Sequence, residues 1–103
     1  MTLYHGSYKQ IENFKNAPIW CSNLFDTANN YIIAQSEGEE GEFGFIYEVE
    51  IDESEIVKVE DFVAVDCGSI LNEMEGNIFG AESEAGDVIF CIRNASKYNW
   101  KEI

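Results

Sequence analysis

The chain reads as an α+β protein: a compact, mostly antiparallel β-sheet core with one main helix and a short second one. Three observations predict this. The stretch FGFIYEVEID, residues 43–52, alternates with a period of two: Phe45, Tyr47, Val49 and Ile51 face one way and Glu48, Glu50 and Asp52 the other, with Ile46 the exception. The stretch DTANNYIIAQ, residues 26–35, instead places Ala28, Tyr31, Ile32 and Gln35 at helical spacing behind Asp26, a good N-cap. Elsewhere apolar runs are short and broken by turn residues, as in a sheet of short strands.

In chain order, Thr2–His5 is a first strand ending at a Gly6-Ser7 turn, and Tyr8–Ala17 is a loop or a single helical turn. Pro18, which cannot donate to a ladder, starts a strand over Ile19–Ser22. The main helix covers about 26–36. SEGEEGE, residues 36–42, follows as a solvated loop. After the strand at 43–52, a turn at Glu53–Glu55 leads to a strand at Ile56–Val59. Residues 69–75 form a short helix, Ile78-Phe79 and Asp87–Ile92 are late strands, and Tyr98–Ile103 adds an edge strand. At 103 residues there is room for one domain, residues 1–103, without a linker.

The net charge is −14, and residues 36–103 carry all of it, with four basic residues against eighteen acidic ones. Such a surface disfavours direct binding of nucleic acid, which rests on phosphate neutralisation, and steers toward basic protein surfaces. No apolar run approaches the roughly 20 residues of a membrane span. No basic-then-apolar leader opens the chain, so the expected setting is cytoplasmic. Cys21, Cys67 and Cys91 are far apart and odd in number; with one histidine they make no zinc motif and read as reduced thiols.

Residues 3–7 are LYHGS. A strand ending in His5-Gly6-Ser7 offers an imidazole, a closely approachable backbone and a hydroxyl, partners for a sugar hydroxyl and a flat amide. Downstream, PIWCSNLFDTANNYI carries Trp20 on a strand and Tyr31 on the following helix, two aromatics able to flank a planar ring. Late in the chain, AESEAGDVIF sets Glu82 and Glu84 before an apolar strand, where a carboxylate can stabilise positive charge on a sugar carbon.

These three motifs, in this order, resemble the ADP-ribosyltransferase fold in its histidine-type clade, shared by diphtheria toxin and the poly-ADP-ribose polymerases. That clade has a strand with His-Gly-Ser or His-Gly-Thr, a strand-aromatic followed by a helix ending in Asn-Tyr, and a glutamate at the start of a late strand. Trp20 stands where the family usually has tyrosine, and Asn30-Tyr31 supplies the second motif. The resemblance implies NAD as substrate. It implies that His5 binds the adenine-side ribose hydroxyl, and that Gly6 bonds the nicotinamide amide with help from the Ser7 or Ser22 hydroxyl. Tyr31 and Trp20 would flank the nicotinamide ring, and Glu84, with Glu82 as the alternative, would act on the nicotinamide ribose. Lys9, Lys15 and Arg93 are the cations that could meet the pyrophosphate. The segment FIYEVEIDESEIVKVEDF is similar to the strand–turn–strand of small phage-encoded ADP-ribosyltransferases that act against CRISPR surveillance complexes. This implies, as target, a protein with a basic surface such as a CRISPR effector subunit. The alternative carried by the charge alone is a non-catalytic acidic inhibitor that blocks a nucleic-acid-binding surface as a mimic.

Overall fold

The alternation over residues 43–52 organises the molecule. In the computed structural model, which describes residues 1–7, 10–15, 17–28, 44–84, 86 and 88–103, strand β3 covers Phe45–Glu50. It lies between β1, Thr2–Ser7, and β7, Lys101–Glu102, both antiparallel to it. A second sheet holds β2, Ile19–Cys21; β6, Val88–Ile92; β5, Ile78–Glu82; and β4, Ile56–Lys58, in the order β2-β6-β5-β4. All pairs are antiparallel except β4 with β5. A parallel pair needs a crossover, and α2, Phe62–Asp66, and α3, Ile70–Glu73, lie in it.

The elements stack in layers. Leu3 and Val49 of the first sheet, with Ile51 just past the end of β3, meet Cys21, Ile78, Phe90 and Ile92 of the second in one buried cluster, so these faces pack on each other. On the far side of the second sheet, Phe79, Ala81, Ile89 and Cys91 pack against Ala64, Val65 and Ile70 of the crossover helices. Outside the first sheet, Ile46 and the half-buried Tyr4 meet Ala28, which belongs to α1, helical over the described residues 25–28. Ile46, the residue that breaks the β3 alternation, thus has an apolar partner on its own face. Each large side chain so buried contributes about 1.5–3 kcal/mol relative to exposure.

Local chemistry accounts for the ends. Asp61 caps α2 by accepting from the Ala64 N–H at 3.2 Å, and Gly68 ends it at φ +82°, a left-handed position suited to glycine. Asp52 accepts from Ser54 N–H at 2.9 Å and starts a 3-10 turn at Glu53–Glu55, where a turn is expected.

Several elements depart from expectation. β1 continues to Ser7, because Gly6 and Ser7 pair with Ile46 and Phe45 instead of turning. Ala28 N–H donates to the Leu24 carbonyl at 3.2 Å, so α1 begins before Asp26, which lies in its first turn and not at the cap. Helix α2 was not expected; its turn is too short to show a helical period. Glu82 ends β5, whereas the sequence puts it in a loop before the last long strand. The rest of the main helix to residue 36, with Tyr31, and the loop at 36–42 lie outside the described residues. Among the described residues, no helix is long and apolar enough to cross a membrane.

Candidate functional site around His5

His5 sits on β1 opposite Tyr47, near the seam where the two sheets meet through an isolated bridge, Tyr4 to Ser22. Across that seam its Nδ1–H donates to the Trp20 carbonyl at 2.7 Å. A carbonyl only accepts, so Nδ1 carries the proton and Nε2 keeps its lone pair. Burial lowers the imidazole below its ordinary value of 6.5, with the Trp20 bond opposing. His5 is therefore neutral at pH 7, with one nitrogen held by the fold and the other an acceptor.

Aromatic rings surround the imidazole. Phe14 meets it edge-on with centroids 6.3 Å apart, and Trp100 does so at 6.4 Å. Phe14 and Trp100 stack on each other at 4.3 Å and 9°. The Tyr47 ring meets Phe14 edge-on at 5.3 Å, and its hydroxyl accepts from the Ile11 N–H at 2.6 Å. Glu102 accepts from the Gln10 amide at 3.3 Å. The segment after His5-Gly6-Ser7 is thus strapped back over its own histidine by β3 and β7. Phe14, Tyr47 and Trp100 were not expected here. They lie 9, 42 and 95 positions from His5, and only the chain's long-range pairing brings them together.

Trp20 is divided between two layers. Ile19 and Cys21 face the inter-sheet core, so alternation sends the Trp20 ring to the other side of the sheet. There its indole N–H donates to the Val65 carbonyl at 2.8 Å, and the ring lies against Gly68, where a Cβ would stand 3.2 Å away. Its backbone meets His5, and its ring does not share His5's layer. Ser22, 1% exposed, spends its Oγ on the Leu24 N–H at 3.1 Å. Gly6 is buried in the β1–β3 ladder, and Ser7 is half-buried beside it.

Glu82 and Glu84 are exposed, Glu82 at the end of β5 opposite Val88 and Glu84 in the turn closed by Gly86 N–H on the Ser83 carbonyl at 3.0 Å. By alternation Glu82 shares the inter-sheet face of β5 with Ile78. Cys21, Phe90 and Gly80 stand in one row, and Glu82 lies two residues further along β5. At about 3.3 Å per residue and about 4.8 Å per strand, its Cα is about 12 Å from that of Cys21. A cavity of about 340 Å³ opens beside it, lined by Met1, Ile56, Lys58, Val88 and Phe90 among others.

Of the possible pyrophosphate cations, Lys15 is exposed and Lys9 lies outside the described residues. Arg93 donates from Nε to Gly76, from Nη1 to Leu71 and from Nη2 to Met74, at 2.8, 2.8 and 2.7 Å, and its guanidinium lies 5.6 Å from the Phe79 ring centre. A guanidinium so placed holds the loop after α3. Comparison of the chain with family models gives no match, and comparison with curated proteins gives none.

Proposed function

We propose that the chain binds NAD through His5 and transfers ADP-ribose from it to a protein with a basic surface, a CRISPR effector subunit being one such protein. The observation that carries this reading is the neutral His5, whose Nδ1–H is committed to the Trp20 carbonyl, so that the lone pair able to accept from a ribose hydroxyl is on Nε2. The residues fit NAD unevenly. His5 and Glu82 suit it in chemistry and share the inter-sheet side. The Trp20 indole, the Ser22 hydroxyl and Arg93 have other partners.

NAD supplies a ribose–nicotinamide bond whose electron pair leaves with nicotinamide while an acceptor nucleophile bonds the ribosyl carbon and gives up its proton to bulk water. Glu82, or Glu84 in the neighbouring turn, provides the carboxylate that stabilises the positive charge passing through that carbon. His5 fixes the other ribose and carries no proton in the step. The acidic surface of residues 36–103 draws in a basic target.

A second reading is favoured by the Trp20 ring and Arg93 being taken up structurally: an acidic inhibitor that covers a basic nucleic-acid-binding surface without chemistry. Thermal melting with and without NAD separates the two. The first reading expects a rise in midpoint by ligand linkage, lost in His5→Ala. Mass spectrometry of a basic target incubated with NAD then shows an added ADP-ribose. No rise at millimolar NAD, with a target blocked equally by wild type and Glu82→Ala/Glu84→Ala, refutes the enzyme and leaves the mimic.

A further inference from the structure

We infer that Trp100 is a positioning residue for His5, holding the imidazole through the stack with Phe14 in the orientation that keeps its Nδ1–H on the Trp20 carbonyl. The inference rests on the proposed role of His5 as an acceptor for a ribose hydroxyl, but its physical content is measurable without NAD.

A histidine has a broad, two-fold χ2 and two neutral tautomers, so one hydrogen bond does not by itself set where the second nitrogen points. The Trp20 carbonyl fixes Nδ1. The ring plane is fixed by what flanks it, and both flanks come from outside the LYHGS strand: Phe14 at 75° and Trp100 at 73° to the imidazole. Each is itself held. Trp100 donates its indole N–H to the Ala95 carbonyl at 2.8 Å, and Ala95 is 1% exposed. Phe14 is gripped between the Trp100 face and the Tyr47 edge. Phe14 belongs to none of the three buried clusters, and Trp100 only borders the one between the sheets. The stack is thus an aromatic wall built at the histidine, beyond what core packing uses.

The test uses the full chain with 15N-labelled histidine and two-bond proton–nitrogen correlation spectra. Wild type is expected to show the Nδ1–H tautomer and a titration midpoint below the ordinary value of 6.5. Trp100→Phe keeps the flat face and retains both. Trp100→Ala mixes the tautomers and returns the midpoint toward 6.5, and its Kd for NAD rises about fivefold as the competent fraction falls. A folded Trp100→Ala with the wild-type tautomer and midpoint overturns the inference. If Trp100→Ala does not fold, Phe14→Leu removes the stack at similar volume and is read the same way. A tautomer change without NAD binding in any variant, wild type included, upholds the positioning of His5 and refutes the NAD reading.

Discussion

Replacing Arg93 by methionine tests whether this cation belongs to the fold or to a ligand. Its guanidinium meets the carbonyls of Leu71, Met74 and Gly76 at 2.7–2.8 Å, where α3 ends and the chain turns into β5. Methionine keeps most of the apolar stem and removes all three bonds. A bond from a charged donor contributes about 1.5–3 kcal/mol when shielded from water. Only the bond to Leu71 is part-buried; the other two are exposed and count for about 0.5 kcal/mol each. The loss is then about 3 kcal/mol. At 4–8 °C per kcal/mol for a domain near 100 residues, the melting midpoint falls by about 12–24 °C. Far-UV circular dichroism during heating measures it. Arg93→Lys, with one compact ammonium, should recover less than half of the drop. A midpoint for Arg93→Met within about 3 °C of wild type refutes the reasoning, since water would then serve the carbonyls as well as the guanidinium does. A large drop with the NAD-induced rise in midpoint preserved excludes Arg93 from ligand binding.

Two further outcomes are expected. His5 has a folded-state pKa below its unfolded value, so the unfolded chain binds the proton more tightly. Its contribution to stability is complete above the unfolded value of 6.5 and is lost as pH falls toward the folded one. Between pH 7.5 and 5.5 the wild-type midpoint should therefore fall more than that of His5→Asn, whose amide still donates to Trp20; equal slopes refute this. The thiols should separate under native conditions at pH 7.5. Cys67 is exposed and held below the usual thiol range by hydrogen bonding with Ser69, so it reacts first with iodoacetamide. Burial pushes Cys91 up to about 11 and raises Cys21 as well, so both should react only in denaturant. Peptide mass mapping checks the order.

The strands were legible where one face is apolar and the other polar. β3 appears within its expected span, with Val49 and Ile51 in the core, and β2 begins behind Pro18 at Ile19. The pairing was not legible, because alternation says which face is buried and nothing about which strand is the neighbour. Nothing in IVK marks β4 as the parallel partner of β5. The site was legible in part. His5 could be singled out from LYHGS, but its working partner is a Trp20 backbone atom, and backbone atoms leave no trace in a motif. The Trp20 side chain was expected beside the histidine; the period-two rule that makes Ile19–Cys21 a strand sends it to the opposite side. Phe14 stands between Asn13 and Lys15, and Trp100 between Asn99 and Lys101; a large ring between polar neighbours is the one signal that could have nominated them.

The first sheet joins the chain's opening residues to its closing ones around a strand from the middle, with Thr2 opposite Glu50 and Lys101 opposite Glu48. Its assembly must close long loops before any contact offsets their entropy, whereas the β5–β6 hairpin closes over a handful of residues. The hairpin half can therefore organise before the His5 half, whose sheet closes only when β1, β3 and β7 meet. The surroundings of the histidine are thus among the last parts of the fold to take shape.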